Sequence, residues 1–117
     1  MLNRGETGSM VYEPDHLVIA PGDTVRFLVG HRSHNAASIE SMMPEGAEPF
    51  IGRIDEEIEV TFDVEGTYGI KCSPHLGMGM VMVVQVGDGP LDTDLSAADL
   101  PPRARERFEE IFARAGD

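Results

Sequence analysis

The chain has very little of several things, and each scarcity narrows what it can be. It has one cysteine, Cys72, so no disulfide can form within it, and the thiol is free, metal-bound or paired between molecules. It has one lysine, Lys71, and only nine basic residues against 21 acidic ones, a formal charge of −12. Nucleic acid and anionic membrane surfaces are poor partners for such a chain, whereas a basic partner protein or a salty, screening environment suits it. It has no tryptophan, and no apolar run approaching the length of a membrane span, so membrane insertion is not expected. The opening residues Met1-Leu2-Asn3-Arg4-Gly5 carry no apolar signal region, which predicts a chain from which any export peptide has already been removed. At 117 residues with 41% hydrophobic content, a single domain that buries its own core without disulfides is expected.

Against this background one stretch stands out: Gly69-Ile-Lys-Cys-Ser-Pro-His-Leu-Gly-Met-Gly-Met80. Cys72, His75 and Met80 place a thiolate, an imidazole and a thioether within nine residues. Soft sulfur donors favour copper over a hard cation such as magnesium, and two histidines, a cysteine and a weak axial methionine form a blue-copper electron-transfer centre. Zinc is the chemical rival, but structural zinc sites usually draw on more cysteines or histidines than are available here. Taken singly, Cys72 reads as a small buried hydrophobe and Met80 as core packing. Their joint spacing at the end of a predicted strand points to metal.

A second histidine must come from elsewhere. His16 starts a strand after Pro14-Asp15, where exposure is the default. His31 and His34 share the loop after Val29. His34 is followed by Asn35, whose backbone N–H could reach the cysteine sulfur and tune it, which favours His34 without removing His31.

The rest of the chain reads as short strands separated by turns. Met1–Arg4, Met10–Tyr12, His16–Ala20, Thr24–Val29, Ile58–Phe62, Thr67–Lys71 and Val81–Val86 are predicted strands, with Pro21-Gly22-Asp23 and Gly87-Asp-Gly-Pro90 as turn signals. Val25, Phe27 and Val29, and likewise Ile58, Val60 and Phe62, should face the core, and the unbroken Val81–Val86 run suits a strand covered on both faces. A brief helical turn is expected around Ser41. After Pro90 the pattern turns helical, with a short helix near Asp94–Ala98 and a longer one over Asp99–Arg114, proline in its first turn, burying Leu100, Ala104, Phe108 and Ile111 or Phe112. Seven or so strands with appended helices predict an all-β, two-sheet sandwich over residues 1–87 and a helical extension over 88–117.

Ser33-His34-Asn35, Pro44-Glu45-Gly46-Ala47 and Cys72-Ser-Pro-His-Leu-Gly-Met-Gly-Met80, together with Met1-Leu2-Asn3, Met10-Val-Tyr-Glu-Pro14 and Pro21-Gly-Asp-Thr24, resemble the pseudoazurins, a family of bacterial cupredoxins. The similarity runs over nearly the whole chain. It implies an eight-stranded cupredoxin-like Greek-key β-sandwich with C-terminal α-helices, and one type 1 copper held by His34, Cys72, His75 and Met80. It also implies a periplasmic, monomeric electron carrier rather than an enzyme, with redox partners such as copper nitrite reductase or a c-type cytochrome. By the same resemblance, electrons leave at the edge of His75, through an apolar patch that includes Met10 and Met78.

This chain departs from the family in carrying one lysine where members usually ring the exposed histidine with several. It also has Arg32-Ser33 where members often have Lys-Gly, and it begins a few residues late. Either Arg32, Lys71 and Arg4 keep a small basic rim, or the docking face is acidic and its partner basic; the net charge favours the second. A copper oxidase or reductase would need a further histidine cluster, which His16 and His31 do not make. A copper-storage protein would use Met42, Met43, Met78 and Met82 as extra soft ligands.

Overall fold

A computed structural model describes residues 1–6, 8–96 and 98–115. Eight strands form: β1 (Leu2–Gly5), β2 (Gly8–Val11), β3 (His16–Ile19), β4 (Asp23–Phe27), β5 (Ala37–Ser38), β6 (Ile58–Phe62), β7 (Gly66–Lys71) and β8 (Val81–Val86). One layer is a four-stranded sheet in the order β3-β8-β7-β5, with β3 parallel to β8 and the other pairs antiparallel. Two antiparallel pairs, β1-β2 and β4-β6, make up the facing layer. Met1 joins those pairs: its amine donates to the Leu28 carbonyl at 3.1 Å, and its own carbonyl accepts from His31 N–H at 3.1 Å.

Alternation decides which side chains fill the space between layers. Phe27 and Phe62 are buried there, with Val25, Val29, Ile58 and Val60 packed half-buried around them. The same core takes Tyr12 from the end of β2 and Tyr68 and Ile70 from β7. Phe62 meets Tyr68 edge-on with ring centroids 4.8 Å apart, a favoured aromatic geometry.

The continuous apolar run of β8 has a specific cause. Met82, Val84 and Val86 point into the sandwich, while Val81 and Val83 point the other way, under a helix. That helix, α1 (Pro102–Ala115), begins with proline at its first position, where no intrahelical N–H is lost. It buries Ala104, Phe108, Ile111 and Phe112, and Leu91, Leu95, Ala98 and Leu100 of the preceding segment complete this second core. Arg114 pins the helix end by donating to the buried carboxylate of Asp15 at 2.8 Å.

Three sequence expectations change. The short helix expected near Asp94–Ala98 is, among the described residues, only a turn at Ser96 held by the Asp94 carboxylate at 2.9 Å; Ala97 lies outside them. The two-residue β5 was not expected from propensity. His16 is half-buried rather than exposed, paired opposite Val83, and its Nε2 has no hydrogen-bond partner among the described residues. The brief helical turn around Ser41 is present as a 3-10 turn, Glu40–Met42.

Candidate metal centre

Two connections at one end of the sandwich carry the site. His34 lies between β4 and β5; Cys72 directly follows β7, and the loop after it runs through 3-10 turns at Ser73–Met78 into β8. Pro74 suits the start of such a turn because it has no N–H to lose. The loop closes at Gly79, with φ +84°, where an added Cβ would sit 3.0 Å from the Arg103 carbonyl oxygen of α1. Both the backbone angle and the close helix require glycine there. The Met80 carbonyl then accepts from Cys72 N–H at 3.0 Å, and Met80 N–H donates to the His75 carbonyl at 3.2 Å, tying three proposed ligands into one small ring of backbone.

Across 38 residues of sequence the chain brings His34 back to this loop. His34 Nδ1 lies 3.7 Å from Cys72 Sγ and 3.1 Å from His75 Nδ1, and His75 Nδ1 lies 3.4 Å from the sulfur. His34 and Cys72 are fully buried and His75 is half-buried, so one imidazole alone has an edge toward solvent. Met80 is fully buried in the same core cluster as Cys72.

These donor atoms fit a metal ion. A trigonal ion with bonds of about 2.0–2.3 Å separates its ligand atoms by roughly 3.5–3.8 Å, and the three measured separations approach that triangle. The tautomers agree. His34 Nε2–H donates to Asn3 Oδ1 at 2.7 Å, which leaves Nδ1 as a bare lone pair turned toward Cys72 and His75. Facing nitrogen lone pairs at such a distance repel unless a proton or a cation lies between them.

The surroundings set the protonation states. Burial pushes the Cys72 thiol up, partly offset by the backbone N–H groups of Asn35 and His75 that reach its sulfur. Burial also lowers the His34 pKa, with the neighbouring His75 adding to the effect. A buried neutral imidazole is ready to donate to a cation, whereas the thiol must surrender its proton when a metal binds. Burial, and secondarily the sulfur of Cys72, holds the Tyr12 phenol well above the ordinary phenol range.

Asn35 fastens the two loops together. Its Oδ1 accepts from Ser73 N–H at 2.7 Å, while Nδ2 donates to Ser73 Oγ at 3.2 Å and to the Gly52 carbonyl at 3.0 Å. Tyr12 Oη–H donates to the Asn35 carbonyl at 2.6 Å from below. Asp55 holds the other side: its carboxylate accepts from Ser33 N–H at 2.6 Å, and its own N–H donates to the His34 carbonyl at 2.8 Å. Ser33 sits at φ +77°, left-handed backbone that glycine adopts at less cost, so Ser33 is a structural departure, whereas Arg32 carries the same charge as a lysine.

Of the two histidines left open by spacing, the structure brings His34 to the site. His31 is exposed, and its Nδ1 accepts from Asn3 N–H at 2.8 Å. His16 is not part of the cluster formed by His34, Cys72 and His75. Met78 is 45% exposed, and Met10 is half-buried against the sandwich core with φ +52°. The supporting roles of Asn3, Tyr12 and Asp55 had no signal in spacing, since each acts across at least 20 residues of sequence.

Comparison with known proteins bears on the same residues. The family described as copper binding proteins, plastocyanin/azurin family, matches residues 1–87. Pseudoazurin of Paracoccus pantotrophus is 45% identical over 115 residues, which is 97% of this chain and 79% of that protein. Among solved structures, pseudoazurin of Methylobacterium extorquens superposes with a TM-score of 0.88 at 40% identity, covering 98% of this chain and 94% of the other. That of Sinorhizobium meliloti gives 0.90 at 39% identity, covering 98% and 91%. With its cupredoxin sandwich and its buried histidine–cysteine–histidine cluster, the chain belongs to the plastocyanin/azurin family of copper-binding proteins and, within it, to the pseudoazurins, which are type 1 copper electron carriers and not enzymes.

Proposed function

We propose that this is a periplasmic one-electron carrier, working as a monomer and a single domain, in which His34, Cys72 and His75 would hold copper, with the Met80 thioether as the fourth and weaker donor. The observation that carries this assignment is the convergence of His34 Nδ1, Cys72 Sγ and His75 Nδ1, with Met80 buried in the same cluster. Copper held there would supply a one-electron couple whose potential depends on the thioether donor and on hydrogen bonding around the sulfur. The chain's part is to keep its donors still. Asn35 clamps the Cys72 loop to the His34 connection, Asn3 fixes the His34 ring, and Gly79 packs the loop against α1. Ligands fixed in this way need not rearrange when the charge at their centre changes by one. His75, the half-buried member, is the exit for the electron, and the resemblance to the family puts Met78 and Met10 in the apolar patch around it.

The partners are other redox proteins, copper nitrite reductase or a c-type cytochrome. No helix among the described residues is long and apolar enough to cross a membrane, consistent with a carrier that diffuses between partners. A storage role has less support. Met42 belongs to the core under α1, Met43 and Met82 to the sandwich core, and Met78 to the surface, so the four are spread over three regions.

Copper-loaded protein should show an intense thiolate-to-copper absorption band in the visible, one copper per chain, and reversible one-electron voltammetry. Cys72→Ser should abolish the band. Survival of the band in that variant, or uptake of several copper(I) ions per chain, would overturn the assignment.

A further inference from the structure

We propose that the strip Ile51–Glu56, beside the His34 connection, is an electron-transfer docking surface for a redox protein that presents a basic, lysine-rich face. The proposal rests on the carrier reading and adds to it a place and a polarity.

The strip is exposed and apolar in an unusual position. Ile51 is 80% exposed and Ile54 50% exposed, more than the 45% of Met78 beside the ligand loop. Burying them only on association accounts for isoleucine at such open positions. The strip is bound directly to the site. Gly52 N–H donates to the Ala36 carbonyl at 2.8 Å, Asp55 N–H donates to the His34 carbonyl at 2.8 Å, and Ile51 bridges Ala37 at the edge of the four-stranded sheet.

A bonded route, separate from the His75 edge, also ties it to the metal-binding sulfur. Cys72 is followed by Ser73, whose N–H donates to Asn35 Oδ1 at 2.7 Å. Asn35 Nδ2 donates in turn to the Gly52 carbonyl at 3.0 Å, and Gly52 is covalently next to Ile51. Two hydrogen bonds and the intervening covalent bonds of Cys72, Ser73, Asn35 and Gly52 thus tie the sulfur to Ile51, the most exposed large apolar side chain among the described residues.

Charge selects the partner. From Ser33 to Ile70 the sequence holds nine carboxylates and one base, Arg53, so much of the −12 resides on this part of the chain. Asp55 and Glu56 lie within the strip, and Glu48 is exposed on the loop that leads into it. The rim of Met78 is different. There α1 presents Arg103 and Arg107 together with Glu106 and Glu110, a balanced set with little net field to steer an approaching protein. An acidic flank steers a basic partner and raises its encounter rate, an effect that salt screens.

The test uses copper-loaded, full-length protein in stopped-flow electron transfer with two c-type cytochromes of similar potential, one lysine-rich and one acidic, across a salt series. The variants are Glu48→Gln with Glu56→Gln, Ile51→Ser, and, as a control on the other flank, Glu106→Gln with Glu110→Gln. At ionic strength near 0.01 M, where the Debye length is about 30 Å, the lysine-rich cytochrome should react faster. The Glu48/Glu56 variant should slow that reaction about threefold or more and flatten its salt dependence, a partial loss of the roughly 10- to 1,000-fold that steering can supply. Ile51→Ser should slow it at every salt concentration, while absorption spectrum and potential stay unchanged. Equal rates for the Glu48/Glu56 variant and the parent, a faster reaction with the acidic cytochrome, or a larger effect of the helix pair would overturn the proposal. Loss of electron exchange with an electrode as well would instead indict the carrier reading.

Discussion

Tyr12→Phe removes one oxygen atom and tests how the centre is held. The Tyr12 phenol is buried, and its hydroxyl donates to the equally buried Asn35 carbonyl at 2.6 Å. With phenylalanine that carbonyl has lost this donor while still shielded from water. Leaving a buried polar group unsatisfied costs about 1–3 kcal/mol. An unfolding entropy of about 2.1 cal/mol/K per residue gives roughly 250 cal/mol/K for 117 residues, so the loss corresponds to a Tm lower by about 4–12 °C. Differential scanning calorimetry on metal-free protein reads this directly. The consequence also reaches the site, because Asn35 supplies a backbone N–H to Cys72 and clamps Ser73. A looser Asn35 weakens the N–H bond to the thiolate, strengthens its donation to copper(II), and should lower the reduction potential. A Tm within about 2 °C of the parent would refute the energetic argument, since a lost bond of this kind is worth more. An unchanged potential would show that Asn35 is held well enough by its side chain alone.

Met80 is fully buried, and Leu replaces Met at nearly constant volume, so Met80→Leu should cost less than about 1.5 kcal/mol and keep its copper. Loss of the thioether should then raise the potential, whereas Met80→Gln, an oxygen donor, should lower it; voltammetry in which neither variant moves would remove Met80 from the ligand set. His34→Ala should largely destroy the visible spectrum, while His31→Ala, altering only the exposed ring that accepts from Asn3 N–H, should preserve it. The reverse result would mean that the wrong imidazole has been assigned.

What was legible in the sequence follows from how locally each feature is encoded. Val81–Val86 announced itself because both faces of β8 are covered, one by the sandwich and one by α1, so no polar residue interrupts Val81 to Val84. The α1 stripe, Ala104, Phe108 and Ile111, follows from helical spacing alone. Cys72, His75 and Met80 are bound by one backbone loop and could be read together for that reason. Ala37–Ser38 could not be read as a strand: two small residues carry no propensity, and β5 exists because β7 lies on one side and Ile51 on the other. The expected helix near Asp94 gave way to aspartate-capped turns, as the Asp92 and Asp94 carboxylates bind backbone N–H groups two residues ahead. His16 was expected to be exposed because it follows Pro14-Asp15 at the start of a strand; it is half-buried because that strand pairs with β8, placing His16 opposite Val83.

The same distinction separates the ligands from the residues that make them useful. A thiolate, two imidazoles and a thioether would bind copper in many arrangements, including floppy ones, so ligand identity alone does not make an electron carrier. The constraint on geometry comes from contacts that span the chain: Asn3 to His34 over 31 residues, Asn35 to Ser73 over 38, Tyr12 to Asn35 over 23, and Asp55 to Ser33 over 22. Each ties the His34 connection to a different part of the fold, so moving that ring requires breaking several bonds at once. The backbone at Ser33 is held at φ +77°, a conformation costing about 1–2 kcal/mol for a residue with a Cβ. The two Asp55 hydrogen bonds on either side of the Ser33–His34 peptide offset that cost. A site so clamped keeps its shape whichever oxidation state occupies it. The cost of changing state is therefore already met by folding, and the rest of the surface is left to determine who may dock.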